Sequence, residues 1–250
     1  MSKNPMSQFV VKKIVPITFG NIDLSFTNSS LAMLITVLIV LSFSCFAVRN
    51  CRTIPTRIQS LMEIIYNFVM STLCDAASPQ AKQFFSFVFS LFIFILTANI
   101  LGMYPYLFSF TSQIVITASF SALVILAVII SGFYRNGLKF LRIFIPSGIP
   151  ALMGPMVFFI EITSFLSRPI SLSLRLFANM LAGHIMLKVF SGFVLNLIYF
   201  GGLGIVLALL TLLVNVAITG LEFFVAFMQA YIFMVLTCLY VRDVYDADQH

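Results

Sequence analysis

The sequence predicts an all-α membrane protein, and three observations carry that expectation. Of the 250 residues, 61% are hydrophobic and only 9% are charged, against about 25% charged in an ordinary soluble domain. The charges are missing where a bilayer would exclude them. Residues 83–134 hold no Asp, Glu, Lys or Arg, and residues 189–241 hold only Glu222. A helix needs about 20 apolar residues to cross the hydrocarbon core, so each gap has room for two passes. Finally, the bases sit at the ends of apolar runs, where lipid head groups and the positive-inside rule place them. A net charge of +6 would suggest nucleic acid in a soluble chain. Here no basic stretch is interleaved with aromatics to stack bases, so membrane lipids are expected partners and nucleic acid is not.

The elements follow in order. Residues 1–30 are a mixed tail ending in Thr27-Asn28-Ser29-Ser30, side chains that cap helix starts. Asn28-Ser29-Ser30 also fits a glycosylation sequon, but nothing else points to the secretory path. The tail has no early apolar run and no arginine, so neither a cleavable signal nor a transit peptide is expected. Residues 31–48 form the first span, closed by Arg49, Arg52 and Pro55. From Ile58 the pattern changes. Leu61, Met62, Ile65, Phe68, Val69 and Leu73 fall at helical spacing, opposite Gln59, Ser60, Glu63, Asn67 and Ser71, as in an amphipathic helix on a surface or against other helices. Residues 83–104 form the second span, ending near Pro105. Residues 112–133 form the third, ending in a basic loop from Arg135 to Arg142. Two longer apolar segments follow, 151–195 and 200–241. The first is too long for one perpendicular span and contains Pro169, so a tilted or bent helix is one solution. No internal repeat or second domain is visible; residues 1–250 read as a single integral membrane domain.

Five crossings with the tail outside put eight bases inside (Arg49, Arg52, Arg57, Lys82, Arg135, Lys139, Arg142 and Arg242) and four outside (Lys3, Lys12, Lys13 and Lys188). The positive-inside rule therefore favours an outer N-terminus and an inner C-terminus. The cysteines Cys45, Cys51, Cys74 and Cys238 form no CxxC and read as small apolar fillers rather than a disulfide framework or a zinc site.

The chemistry lies in polar residues inside apolar helices. Glu161, Ser164, Arg168, Ser171, Arg175 and Asn179 are three or four residues apart and make one stripe on a helix. An arginine near the bilayer centre costs about 2.5–3.5 kcal/mol and faces protein or water rather than lipid. Arg168, beside Pro169, fits snorkelling to an interface. Arg175 fits a functional charge better, because Ser171, Asn179 and His184 continue the polar character past it. A second stripe holds Asn215, Thr219, Glu222, Ala226 and Gln229. Glu222 is the only ionisable residue between Lys188 and Arg242. A lone carboxyl in hydrocarbon stays neutral unless partnered, and reversible protonation there is what a proton relay needs. If the two segments pair antiparallel with Arg175 level with Gln229, His184 lies about 13.5 Å further along one helix and Glu222 about 10.5 Å back along the other. The two then share a depth. On a straight helix His184 points away from Arg175, which implies two polar sites on different faces.

Ser171-Leu-Ser-Leu-Arg175-Leu-Phe-Ala-Asn179-Met-Leu-Ala-Gly183-His184, with Gln229-Ala-Tyr-Ile-Phe-Met, strongly resembles the a-subunit family of F-type ATP synthases. Leu96-Thr-Ala-Asn99-Ile-Leu-Gly102-Met-Tyr-Pro105 and Phe26-Thr-Asn-Ser-Ser30 extend the likeness over nearly the whole chain. The combination of His184 with Glu222 is similar to the mitochondrial and alphaproteobacterial branch, since many other bacteria carry an acid and a histidine the other way round. The resemblance implies a non-catalytic, proton-conducting stator subunit without a cofactor, in the mitochondrial inner membrane or, alternatively, the alphaproteobacterial inner membrane. Its partners would be a ring of carboxylate-bearing c subunits, peripheral-stalk subunits and other membrane-sector subunits, with protons as the transported ion. It implies one upright N-terminal span, a surface helix at residues 52–75, a transmembrane hairpin, and two long, strongly tilted helices forming a second hairpin against the ring. Arg175 would separate two half-channels. His184, Glu222, Asn179 and Gln229 would belong to the outer one and its junction with the arginine, and Glu161 and Ser164 to the inner one. The acidic tail Asp243-Val-Tyr-Asp246-Ala-Asp248-Gln-His250 departs from the pattern and receives no role. From the residues alone, two other readings stay open: a secondary transporter with Arg175 as anion site, though 250 residues without a repeat is short for one; and a structural subunit whose small residues Ala178, Ala182 and Gly183 serve helix contacts.

Overall fold

The computed structural model describes residues 10–16, 18–19, 22–23, 25–49, 54–77, 79–104, 107–137 and 153–246. Lys3, Cys51, Arg52, Pro105, Lys139, Arg142 and Asp248-Gln-His250, invoked above, lie outside the described residues. The described residues of the tail before the first helix include four short strands. Strand β1 (Lys13–Val15) pairs antiparallel with β4 (Phe26–Thr27), and β2 (Thr18–Phe19) with β3 (Ile22–Asp23). Among the described residues these small ladders are the one departure from an all-α chain.

Helix α1 (Asn28–Arg49) begins where the polar run predicts. The Thr27 hydroxyl accepts the Ser30 amide at 3.3 Å, so a side chain meets one of the donors that a helix start leaves open. Helix α2 (Arg57–Ala77) buries Val69, Leu73 and Ala77 completely, a stripe of spacing four. Its first half differs from the expectation. Leu61 is 49% exposed and Ile64 66% exposed, whereas Gln59 is buried and donates to Glu63 Oε1 at 2.9 Å. The apolar face is therefore fully enclosed only along its later turns, while Met62 and Ile65 of the first half are partly buried against the core.

A 3₁₀ turn (Pro79–Phe84) leads into α3 (Phe85–Gly102), which is followed by α4 (Ile114–Asn136). The last two helices, α5 (Gly154–Ile198) and α6 (Gly202–Asp246), have 45 residues each. At 1.5 Å per residue each is about 67 Å long, more than twice the roughly 30 Å of a hydrocarbon core. Five helices among the described residues (α1 and α3 to α6) are long and apolar enough to cross a membrane. Helices α5 and α6 turn about Gly201, whose φ of +78° suits a residue without Cβ, and a Cβ on Gly204 would collide with the Leu197 carbonyl.

The core lies at one end of this hairpin. Val69 and Leu73 of α2, Val88, Phe92 and Ile95 of α3, Val124 and Val128 of α4, Phe165 and Leu172 of α5, and Phe233, Met234, Cys238 and Val241 of α6 form one buried cluster. Lipid gives no hydrophobic drive between helices, so shape fit and hydrogen bonds hold it together. The other end is bare. Leu203, Val206, Leu209, Leu213 and Val216 are each more than 65% exposed, the state of apolar side chains that meet lipid or another subunit rather than their own chain.

Candidate functional site

On α5, Leu172, Leu176 and Met180 turn into the protein. Arg168, Ser171, Arg175 and Asn179 turn out of it and are exposed. The apolar and polar stripes are interleaved by helical period, so burying one exposes the other. Arg168, Ser171 and Arg175 line a groove of about 420 Å³, with Ser167 beside them and Tyr231, Ile232, Val235 and Leu236 of α6 as the far wall. Among the described residues no acidic side chain pairs with Arg175. A guanidinium never loses its charge in a protein, so this face presents a fixed positive charge outward from the middle of a long apolar helix.

Helices α5 and α6 run antiparallel, locked at three levels. The Tyr240 hydroxyl donates to the Phe165 carbonyl at 2.9 Å. Gln229 Nε2 donates to the Leu172 carbonyl at 3.5 Å. His184 Nδ1 lies 3.9 Å from Glu222 Oε1. Arg175 thus falls beside the Gln229–Tyr231 turn, close to the register assumed from sequence, and His184 and Glu222 do share a depth. Gly183 explains their close approach. A Cβ there would stand 2.5 Å from Glu222 Oε1 and 2.9 Å from its Cδ, so only a glycine leaves the carboxyl its place. Glu222 is 5% exposed, and neither of its oxygens makes a hydrogen bond to another described residue. Asn215 Oδ1 and Asn99 Oδ1 are buried in the same condition, while Asn99 Nδ2 donates to the Ala226 carbonyl at 3.2 Å. The acid and the base therefore face each other between α5 and α6 and are not among the residues that line the arginine groove.

The remaining expected residues stand apart. Asn179 shares the exposed stripe with Arg175, one turn on. Glu161 and Ser164 are half-buried towards the start of α5, and Glu161 is 23 residues from His184, about 35 Å along the axis. The chain thus divides its polar groups into an open arginine face, an enclosed acid–base pair and a separate patch near Glu161. Among the described residues no group of three or more His, Cys, Asp or Glu side chains is placed to hold a metal. Sequence reasoning missed the partners of Phe165 and Leu172. Pro169 does flag the carbonyl four residues before it, but nothing in the sequence names Tyr240 as its donor.

The family profile described as the ATP synthase A chain matches residues 30–242. The chain belongs to the ATP synthase A chain family. It is 55% identical to the ATP synthase subunit a of Rhizobium johnstonii over 250 residues and 54% identical to that of Sinorhizobium fredii, covering 100% of both chains in each case. Against the ATP synthase subunit a of Agrobacterium fabrum the identity is 55% over 243 residues, 97% of this chain and 98% of that one. Membership makes the chain a non-catalytic, proton-translocating subunit of the ATP synthase membrane sector, with other subunits of that complex as partners. The relatives are bacterial, so the mitochondrial placement is not supported. The alternative, a multi-pass protein of the alphaproteobacterial inner membrane, is the one that fits.

Proposed function

We propose that this A chain forms two offset half-channels against a ring of carboxylate-bearing c subunits, with Arg175 as the electrostatic separator between them. The observation that carries the reading is the outward exposure of Arg175 on a face with no acidic partner of its own. A charge at that depth is tolerable only beside a counter-charge or water. A ring carboxylate offers the first and must leave again each time the ring steps. The guanidinium attracts the carboxylate when it is deprotonated. It also repels a proton that would pass straight from one half-channel to the other. A purely structural role would bury Arg175 between helices, as Leu172 and Leu176 are buried.

The outer half-channel runs past His184 and Glu222. Glu222 takes a proton and passes it on, and His184 at 3.9 Å, when protonated, stabilises the carboxylate left behind. Asn215 and Asn99 offer acceptor oxygens to a hydrated path, since buried polar oxygens are met by protein or ordered water. Asn179 and Gln229 stand at the junction with the arginine, and Glu161 and Ser164 serve the inner half-channel. An offset path of this kind lets the membrane potential, about 2.3 kcal/mol per charge per 100 mV, act on ring rotation instead of on a leak. The whole chain is then one integral membrane domain, outer at its N-terminus. Its two 45-residue helices lie strongly tilted, because an upright pair would project far beyond the bilayer. Peripheral-stalk subunits and lipids cover the faces turned from the ring.

The test is Arg175→Ala in the assembled complex. ATP synthesis driven by a proton gradient is lost while the complex still forms. Arg175→Lys fails too, because an ammonium can lose its proton when desolvated and lacks the planar fork. Coupled synthesis at the wild-type rate in Arg175→Ala overturns the reading.

A further inference from the structure

Helix α5 runs without a break through Pro169. A proline has no N–H, so the carbonyl four residues before it loses its helical donor, and the ring pushes against that same carbonyl. In α5 that carbonyl belongs to Phe165. In water the group would turn to solvent. In a bilayer such a group is met by a neighbouring helix, a side chain, ordered water or a local change in the helix. The structure provides one: Tyr240 Oη donates to the Phe165 carbonyl at 2.9 Å, with the Phe165 and Tyr240 rings edge to face at 4.9 Å. Phe165, Pro169 and Tyr240 are all buried, so the bond is enclosed.

Its place matters because of what lies beside it. Arg168 adjoins Pro169, and Arg168 and Arg175 share the groove whose other wall is α6. A second bond of the same kind, from Gln229 Nε2 to the Leu172 carbonyl, lies two turns on. Two donors from α6 thus hold two backbone carbonyls of α5. Two points on one rod fix both its height and its rotation, and rotation decides whether the arginine stripe faces the groove or the core. We propose that Tyr240 is a positioning residue: by donating to the Phe165 carbonyl, whose helical donor Pro169 removes, it holds the proline-containing turn of α5 in the rotation that presents Arg175 outward. This rests on the reading of Arg175 given above. It touches no proton itself.

The test is a pair of substitutions in the intact ATP synthase. Tyr240→Phe keeps the ring and removes only the donor. Interhelical side-chain hydrogen bonds in membranes have strengths that correspond to roughly 3- to 20-fold in an equilibrium, so proton-driven ATP synthesis per assembled complex falls by about threefold or more. Pro169→Ala restores an N–H to the turn. In a Pro169→Ala background the further change Tyr240→Phe then costs nothing more, a dependence that ring contact alone would not produce. The infrared difference between wild type and Tyr240→Phe isolates the Tyr240 phenol, and its C–O stretch is that of a hydroxyl acting as donor. Wild-type synthesis in Tyr240→Phe overturns the proposal. So does an equal loss with and without Pro169, or a phenol that is no donor. Because the spectrum does not depend on Arg175, and Arg175→Ala does not depend on Tyr240, failure of the positioning role and failure of the separator role are told apart.

Discussion

Glu222 and His184 show how little chemistry the residue scale needs once burial is arranged. Between Lys188 and Arg242 the carboxyl is the only Asp, Glu, Lys, Arg or His side chain. Gly183 makes room for it, and a histidine stands 3.9 Å from it. A charge at the centre of a helix in hydrocarbon costs about 2.5–3.5 kcal/mol. A relay that relieves about 1.4 kcal/mol of such a barrier is worth tenfold in rate. Glu222→Leu and His184→Leu are therefore each expected to slow proton-driven ATP synthesis on the order of tenfold. Passive proton permeability of the same vesicles should not rise if Arg175 is the separator proposed above, since these changes leave it in place. Wild-type synthesis in both mutants would remove the pair from the path, and a leaky membrane would assign it the separator's task.

At the scale of the element, ends and interruptions matter more than interiors. The apolar runs make helices under almost any arrangement of neighbours, but where each begins depends on a few polar atoms. Thr27 accepts the Ser30 amide, and Asn28 Oδ1 accepts the Lys12 amide at 3.1 Å. The same few residues thus start α1 and tie it to the tail. Thr27→Ala removes the cap at a typical cost of about 0.5–2 kcal/mol. It should lower the thermal stability of the detergent-purified chain and speed hydrogen exchange in the first turn of α1, with the later turns unchanged. Unaltered exchange at Ser30 would show that the hydroxyl contributes nothing there. The 3₁₀ turn before α3 and the glycine turn between α5 and α6 do related work, turning the chain where continuous helix would overshoot.

For the whole molecule, the distribution of cover is the main fact. One end of the α5–α6 hairpin is walled by α2, α3 and α4, while the other is bare and apolar. The arginine stripe opens outward between them. A molecule with this shape is half of something. The α6 wall of the groove at Arg175 is mostly aliphatic, made by Ile232, Val235 and Leu236 beside Tyr231, and offers a nucleotide few polar partners. The purified chain should therefore show no saturable ATP binding by calorimetry, and in mild detergent it should co-purify with a ring of helical hairpins bearing carboxylates. Specific ATP binding by the chain alone, or proton-coupled work without a ring, would contradict the assignment of all nucleotide chemistry to other subunits.

Much of this was legible in the amino-acid sequence, for a physical reason. Hydrocarbon excludes charge so strongly that charge-free stretches mark the spans, and a polar residue inside one is already an anomaly. That reasoning located α1 and α3 to α6, singled out Arg175, Glu222 and His184, and gave the register that puts the last two at one depth. It failed where the deciding group is a backbone carbonyl or the space beside a residue. Gln59 reads as surface and is buried. Leu61 belongs to the apolar face and is left half open, because α2 is fully enclosed only along its later turns. Tyr240 reads as one more aromatic near the end of α6. Only the tertiary fold, by bringing it 75 residues back along the chain to Phe165, turns it into the donor that a proline withholds. Periodicity reports which face of a helix is polar. Which face another helix covers, and which backbone groups then need a partner, depends on how the helices meet.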